Sequence, residues 1–130
     1  MKKEKLVDKS NLGAYLLPGR IKNPNDGIYQ ATKSEELGLG TLWLSERWGN
    51  KDLGAIFGAV TQAAPSAYIA AGTTHFLTRH PIVLASMAMT LQSLSKEKFI
   101  LGIGRGVAEM FQPIGLPNIS FEYLIDCVTI

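Results

Sequence analysis

The chain alternates short apolar segments with longer segments in which apolar residues recur at helical spacing. An apolar run of about four to eight residues, closed by Gly, Pro or polar residues, is typical of a buried strand. Pro18 and Gly19 close the first such run, and Gly104 follows the last. The pattern therefore predicts four buried strands, at residues 12–17, 41–45, 68–72 and 99–103.

A segment with helical periodicity follows each predicted strand. The predicted helices begin at capping residues, which are Asn25 or Asp26, then Asp52, then the pair His80 and Pro81. The first helix runs to Leu37, and Gly38 is placed to end it in a left-handed conformation. The core-facing positions are predicted to be Leu53, Ile56, Phe57 and Val60 in the second helix and Val83, Met87, Leu91 and Leu94 in the third. Met89 is also assigned to the core, and a further helix starts at residue 120 and is cut short at 130.

The spacing of the strands predicts the fold class. They recur about every 30 residues with a helix between them, which is the rhythm of right-handed βαβ crossovers and of a parallel sheet. A (β/α)8 TIM barrel usually takes about 250 residues, so 130 residues would supply about its first four βα units. We therefore expect an α/β fold in which residues 1–130 form one partial barrel domain, truncated at its C-terminus. Its uncovered strand edges and open inner face would make it poorly soluble or oligomeric.

Composition and charge narrow the class of protein. The chain carries 13 Lys and Arg against 11 Asp and Glu, and 46% of its residues are hydrophobic, as in soluble globular proteins. The basic run Lys2, Lys3 and Lys5 is interrupted by Glu4, so neither nucleic-acid nor membrane binding is indicated. Cys127 is the sole cysteine, which leaves no intramolecular disulfide and predicts a buried structural thiol. The N-terminal segment lacks the apolar run of a signal peptide, so the cytoplasm is the expected compartment.

The residues that follow the predicted strands carry the candidate chemistry. Ligands of parallel α/β proteins bind beyond the carboxyl ends of the strands. Polar and glycine residues converge there, at positions 18–20, 45–48, 72–75 and 104–107. Glu46 and Arg47 could bind a polar ring edge or move a proton, or they could be a solvated charge pair in a loop.

Two histidines and three glycines have competing interpretations. His75 and His80 are too isolated to form a metal site, and no metal is predicted. His80 is expected to cap a helix or make a loop contact, whereas His75 keeps an unassigned polar role. Gly102, Gly104 and Gly106 follow the spacing G-x-G-x-G and not the G-x-G-x-x-G of a pyrophosphate turn. Close approach of backbone to a flat ligand or to a neighbouring strand explains them equally well.

Three segments of the chain resemble the luciferase-like monooxygenase family, specifically its deazaflavin-dependent members. They are ELGLGTLWLSERW at 36–48, THFLTRHPIVLASMAMTLQSLS at 74–95 and KFILGIGRGV at 98–107. The most specific part is the helix start R-H-P followed by F-x-L-G-x-G-x-G. Together with YLLPGR at 15–20, the resemblance covers most of the chain and implies the N-terminal portion of the family's barrel.

The resemblance implies a barrel that holds reduced flavin or the deazaflavin coenzyme F-420 at its C-terminal rim, with hydride chemistry at the cofactor ring. Members commonly carry an acidic residue and a histidine after the second strand. Glu46 and Arg47 occupy those places here, so the acidic group is kept and the histidine is not. The family also has a non-prolyl cis peptide behind the ring, which would fall near Gly72-Thr73.

The fourth strand and its loop complete what the resemblance implies. Gly104 and Gly106 match the loop beside the cofactor. Some sugar-phosphate-oxidising members place an acidic residue directly after it, where this chain has Val107, so that substrate class is not supported. The family's contacts to the cofactor's phosphate tail come largely from strands beyond the fourth. We therefore expect weak or no cofactor binding by this polypeptide alone.

The resulting hypothesis is an oxidoreductase in which a small organic substrate exchanges a hydride with a bound deazaflavin. The residues expected to line the site are Glu46 and Arg47 as catalytic groups and Gly72, Thr73, Gly104 and Gly106 as cofactor-binding groups. F-420 is preferred and FMN is the alternative. A rival hypothesis is a non-enzymatic half-barrel that pairs its edges with another copy, and a homo-oligomer is expected. The glycine spacing does not support a doubly wound nucleotide binder.

Overall fold

The computed structural model describes residues 7–129, in which four strands alternate with helices. The strands are β1 (Gly13–Tyr15), β2 (Thr41–Leu44), β3 (Tyr68–Ala71) and β4 (Phe99–Ile100). The helices are α1 (Asn25–Leu37), α2 (Leu53–Ala63), α3 (Pro81–Leu94), α4 (Ala108–Phe111) and α5 (Phe121–Thr129), with short 3-10 helices at Lys9–Asn11 and Gln112–Ile114. The predicted basic run at Lys2, Lys3 and Lys5 and the predicted helix end at Ile130 lie outside the described residues.

The sheet has the strand order β1-β2-β3-β4, and every neighbouring pair is parallel. Successive strands are joined by α1, α2 and α3, so the predicted βα rhythm is confirmed. The register aligns one residue from each strand in a single row, which consists of Tyr15, Trp43, Ala70 and Ile100. The carboxyl ends of all four strands therefore lie at the same edge of the sheet.

The two faces of the sheet differ in burial. Side chains alternate between faces along a strand, and Leu42 and Leu44 of β2 are fully buried while Trp43 between them is 40% exposed. The buried face packs against α2, whose Leu53, Ile56, Phe57 and Val60 all belong to the core as predicted. On the opposite face Tyr15 and Ile100 are 48% and 45% exposed, whereas Ala70 between Trp43 and Ile100 is buried. Parallel sheets are ordinarily covered on both faces.

Local sequence signals set most helix ends. The Asp52 side chain accepts a hydrogen bond from the Ala55 amide at 2.9 Å, and His80 caps α3 by accepting from the Ile82 amide. Gly38 ends α1 at a φ of 73°, as predicted. The predicted caps at Asn25 and Asp26 are wrong, because α1 already begins at Asn25 and the preceding residue makes no side-chain cap.

All four strands are shorter than predicted, β2 and β3 by one residue and β1 and β4 by three. In β1 the ladder ends early because Leu17 adopts a φ of 48°, which turns the chain out of the strand. In β4 regular pairing stops after Ile100, although an isolated bridge between Thr74 and Ile103 continues the alignment. Of the strand expected at 12–17, only the central residues are present. Of the strand expected at 99–103, only the first residues are present.

The inward face of α3 is the main error of the sequence-based prediction. Val83 and Leu94 were assigned to the core but are 50% and 46% exposed, and Met89 is 75% exposed. The residues that face inward are Leu84, Met87, Ala88 and Leu91. The predictions for Met87 and Leu91 are therefore confirmed, and those for Val83, Met89 and Leu94 are wrong. Cys127 is also only half-buried, in a groove between α3 and α5, and not a buried structural thiol.

Candidate functional site

A pocket of about 220 Å³ lies at the carboxyl edge of the sheet. Its walls are Tyr15 from β1, Ser45, Glu46 and Arg47 after β2, Gly72, Thr73 and His75 after β3, and Gly106 and Met110 after β4. Five of the six residues singled out from the sequence therefore meet in one place. The sixth, Gly104, lies behind Thr73 and supports that wall. We refer to this space as the rim pocket.

Glu46 is a buried carboxylate held by three donors. Its side chain is 3% exposed. One oxygen accepts from the Leu53 amide at 3.3 Å, and the other accepts from the Thr74 hydroxyl at 3.0 Å and from Arg79 Nε at 3.2 Å. The interpretation of Glu46 as a solvated loop charge is therefore wrong. Its carboxylate is oriented at the pocket wall by groups from α2, from the segment after β3 and from the loop before α3.

Arg79 connects Glu46 to the start of α2. Its guanidinium also donates to the Asp52 carboxylate, which caps that helix. Burial lowers the pKa of Arg79, but hydrogen bonds to Glu46 and Asp52 outweigh burial and raise it above its ordinary value. For Asp52, burial raises the pKa, and hydrogen bonds from the Ala55 amide and Arg79 lower it below its ordinary value. Both partners are therefore charged at neutral pH.

Arg47 differs from its neighbour because it is exposed at the mouth of the rim pocket. Its carbonyl accepts from the amides of Asn50 and Lys51 in a tight turn. Lys51 in turn is buried and donates through Nζ to the Leu17 carbonyl. Burial and the charge of Arg47 lower the pKa of Lys51. The loop after β2 is thus held to the loop after β1. Of the two residues interpreted as a possible solvated charge pair, only Arg47 is exposed to solvent.

The wall formed by the segments after β3 and β4 depends on close backbone approach. The peptide bond between Gly72 and Thr73 is cis, as the family resemblance implied. A Cβ at Gly104 would lie 2.8 Å from Thr73 Oγ1, so only glycine lets the two segments lie this close. Gly106 has a φ of 75°, and a Cβ there would overlap the Phe111 ring. Contact with neighbouring protein atoms therefore explains both glycines.

His75 lies in an aromatic cage beside the rim pocket. Its ring centroid is 4.3 Å from that of Trp48 and 5.4 Å from that of Phe111, both in edge-on arrangements. Its Nδ1 is 3.1 Å from the Thr78 hydroxyl, which also accepts from the indole N–H of Trp48 at 3.1 Å. Burial lowers the pKa of His75, so the imidazole is neutral at neutral pH.

Sequence reasoning missed two residues of the rim pocket and left two others without a role. Tyr15 was assigned to the interior of a strand and reaches the rim because β1 ends there, whereas Ser45 was placed at the rim but given no role. Met110 lies in α4, which no periodic pattern predicted. His75 was noted without a role, because its role depends on aromatic partners distant in sequence.

Parallel strands whose carboxyl ends surround a pocket, each followed by a helix, define a segment of a parallel α/β barrel. The profile of the family described as luciferase-like monooxygenase matches residues 7–117. The chain belongs to this family. Its fold is that of part of the luciferase-like (β/α)8 barrel.

The chain is similar to curated proteins over part of their length. These include 5,10-methylenetetrahydromethanopterin reductases of Methanopyrus kandleri, 26% identical over 107 residues, and of Methanolobus tindarius, 25% identical over 97 residues. The matches cover 82% and 72% of this chain, respectively. The chain spans 30% of the length of each relative.

Solved structures support the barrel fold. The coenzyme F-420-dependent tetrahydromethanopterin reductase of Methanopyrus kandleri matches with a TM-score of 0.68 and 25% identity, over 82% of this chain and 30% of that one. The oxygenating constituent of the 3,6-diketocamphane monooxygenase of Pseudomonas putida, solved with FMN, matches with a TM-score of 0.70 and 22% identity, over 91% and 36%. A monooxygenase of Streptomyces bottropensis matches with a TM-score of 0.72 and 19% identity, over 89% and 39%. The last two likenesses concern the fold alone.

No helix in residues 7–129 has the length and apolar character needed to cross a membrane. The same residues contain no group of three His, Cys, Asp or Glu side chains arranged to hold a metal ion.

Proposed function

We propose that this chain forms part of the ring-binding pocket of a flavin- or deazaflavin-dependent oxidoreductase, in which an organic substrate exchanges a hydride with the cofactor. The observation that carries the proposal is the convergence of Glu46, Arg47, Gly72, Thr73 and Gly106 on the rim pocket. These residues come from three separate segments, which follow β2, β3 and β4. The proposal extends to a partial barrel domain over residues 1–130.

The size and lining of the rim pocket fit the flat ring of such a cofactor. Pockets for whole small molecules usually measure about 300–1,000 Å³, and the rim pocket measures about 220 Å³. Gly72 contributes only backbone to this wall, and a Cβ there would crowd the Trp43 ring at 3.1 Å. The pocket therefore suits the ring and leaves the cofactor's tail outside the described walls.

The two charged residues of the rim pocket have distinct proposed roles. When bound, a flavin or deazaflavin ring supplies the hydride chemistry. The Glu46 carboxylate, oriented by Thr74 and Arg79, is a fixed acceptor for an N–H or O–H of the ring edge or substrate. The Arg47 guanidinium stands at the mouth, where its positive charge stabilises the negative charge that a hydride adds to a ring.

The relatives favour one cofactor. The solved reductase of Methanopyrus kandleri that is described as coenzyme F-420-dependent is 25% identical to this chain, whereas the FMN-bound structure is 22% identical. We therefore prefer F-420 as the cofactor and keep FMN as the alternative. A small organic molecule is the proposed substrate.

The open face of the sheet favours a second candidate function, a half-barrel that assembles with another copy of itself. Tyr15, Trp43 and Ile100 are exposed apolar residues in a row that is interrupted by the buried Ala70, and no strand of residues 7–129 pairs with the outer edges of β1 and β4. A row of this kind is a surface for association. In this alternative the chain is a homo-oligomer without cofactor affinity.

Fluorescence titration with oxidised F-420 and, in parallel, with FMN tests the proposal. A ring of about 18 heavy atoms at about 0.3 kcal/mol each contributes about 5 kcal/mol, which corresponds to a Kd of the order of 0.1 mM. Gly104→Val, which displaces Thr73, should weaken this binding at least fivefold, about 1 kcal/mol. Gly58→Ala is the matched control, because no atom lies within 4 Å of its added Cβ.

Sizing chromatography of the same samples separates the two candidate functions. Saturable binding that Gly104→Val weakens and Gly58→Ala does not supports the cofactor pocket. Concentration-dependent oligomers with no affinity for either cofactor would contradict it and favour the assembly function.

A further inference from the structure

The rim pocket contains one side chain of the type that titrates near neutral pH. Histidine is that type, and of the two histidines in the chain His75 lines the pocket, whereas His80 caps α3. Glu46 is poorly suited to exchange a proton, because both of its oxygens already accept hydrogen bonds and one is paired with Arg79. Proton exchange in this pocket therefore falls to His75.

One nitrogen of the His75 ring is fixed and the other is available. The side chain is almost completely buried between Trp48 and Phe111, and its Nδ1 meets the Thr78 hydroxyl. The hydrogen bonds among residues 7–129 do not engage Nε2. Because His75 lines the rim pocket, this nitrogen is left for a molecule bound there.

Burial keeps the His75 ring neutral. Burial lowers the pKa of His75, the nearby Glu46 carboxylate raises it, and Arg79 lowers it, with a net decrease. Arg47 and Tyr15 line the same pocket. In the tautomer whose Nδ1–H donates to the Thr78 oxygen, Nε2 is a bare acceptor on a ring that lines the pocket.

We infer that His75 carries the proton that accompanies hydride transfer in the rim pocket. The inference rests on the proposed function. In the oxidative direction a substrate C–H bond breaks, and its electron pair leaves as hydride to the oxidised flavin or deazaflavin ring. The O–H or N–H bond on the adjoining substrate atom breaks, its proton moves to Nε2 of His75, and a C=O or C=N bond forms. The substrate is oxidised, the ring is reduced, and the reverse reaction returns the proton.

This chemistry defines a substrate class. The substrate carries an O–H or N–H group next to the carbon that loses the hydride, so it is an alcohol or amine, or in reverse a carbonyl compound or imine. His75 acts as the general base in one direction and the general acid in the other.

NMR of the histidine ring protons tests the inference without a known substrate. The variants His75→Gln and His80→Asn assign the signals of the two histidines. Oxidised F-420 or FMN, added at about millimolar concentration, should shift the His75 signal and leave the His80 signal in place. Exchanging the oxidised probe for its chemically reduced form should raise the pKa of His75 by about one unit, because a hydride brings negative charge beside the imidazole.

Binding linkage supplies a second readout. If the pKa of His75 is about one unit higher in the reduced complex, protonation of His75 favours binding of the reduced probe. The Kd of the oxidised probe divided by the Kd of the reduced probe should then rise about tenfold as the pH falls through the titration of His75. His75→Gln should lose this part of the pH dependence, and His80→Asn should keep it.

The outcomes separate this inference from the proposed function. A His75 signal that stays unchanged while a probe saturates, or a His75 pKa equal in the oxidised and reduced complexes, overturns the proton-carrying role and leaves the cofactor pocket standing. Failure of both probes to bind overturns the proposed function and the inference with it. If His75→Gln does not fold, the titration of His80→Asn still decides, because its one histidine signal belongs to His75.

Discussion

Removal of the Arg79 guanidinium tests whether the buried charge cluster holds the rim together. The Arg79 side chain is 18% exposed and that of Glu46 is 3% exposed, so their ion pair is largely shielded from water. Arg79→Ala would leave the Glu46 carboxylate buried with only the Leu53 amide and the Thr74 hydroxyl as donors. Breaking a buried pair from one side costs about 3–5 kcal/mol.

We expect a cost at the lower end of that range, about 3 kcal/mol, because two donors to Glu46 remain and solvent reaches the cluster from the side of Arg79. This is roughly a hundredfold fall in the ratio of folded to unfolded protein. Urea unfolding followed by tryptophan fluorescence measures it, since Trp48 donates to Thr78 one residue from the substitution.

The matched control for Arg79→Ala is Lys33→Ala. The ion pair between Lys33 and Glu36 has a short separation of 2.6 Å, but its side chains are 50% and 54% exposed. Exposed pairs of this kind contribute little, so the urea midpoint of Lys33→Ala should equal that of the unaltered chain. Equal urea midpoints for Arg79→Ala and Lys33→Ala would refute the reasoning. The buried ion pair would then contribute no more to stability than the exposed one.

Three further predictions address the core, the pH dependence and the backbone. Phe57→Ala removes a fully buried ring that meets Phe99 edge-on, and it should lower the free energy of unfolding in urea by about 3–5 kcal/mol; a loss below about 1 kcal/mol would contradict the assigned core. The depressed pKa of His75 contributes stability that is present above about pH 6.5 and is lost as the pH falls through the folded-state pKa. The urea midpoint of His75→Gln should therefore depend less on pH between about pH 7.5 and 5 than that of the unaltered chain. A pH dependence that stays the same would exclude the titration of His75 as its cause. Gly106→Ala places a Cβ against the Phe111 ring at a φ of 75° and should cost about 1–3 kcal/mol in thermal unfolding by circular dichroism, whereas an unchanged transition would mean that this segment adapts freely.

The parts of the fold that were predictable from the sequence depend on local signals. The Asp52 cap, the proline after His80 and the glycine that ends α1 each act within a few residues of their own position, and all three were predicted correctly. The order of strands followed from the βα rhythm, because parallel strands need a crossover of helical length. These features require no knowledge of distant contacts.

The errors occur where local signals are ambiguous or tertiary contacts decide. In α3 apolar residues occupy three adjacent positions, 82–84, so periodicity alone could not tell which of them faces the core, and packing selects Leu84. In β1 the strand ends where Leu17 turns inward, and there the Gln30 side chain accepts a hydrogen bond from its amide. Neither outcome follows from hydrophobicity.

Most residues of the candidate site were predictable from the sequence, but the groups that orient them were not. Glu46 was identified from its place after β2, yet the groups that orient it, Thr74 and Arg79, lie 28 and 33 residues further along the chain. His75 acquires its surroundings from Trp48 and Phe111, which the fold brings together from different loops. Which of these distant residues meet in space becomes known only when the register of the sheet is known.

The measurement that tests the central claim most directly is amide chemical-shift mapping of the chain during addition of F-420, with FMN as the second ligand. The cofactor pocket predicts saturable shifts at the amides of Gly72, Thr73 and Gly106, and none at Gly38, which ends α1, or at Gly58 in α2, neither of which lines the pocket. Shifts that are absent for both ligands, or that fall away from the rim pocket, would contradict the claim that this pocket holds the cofactor ring.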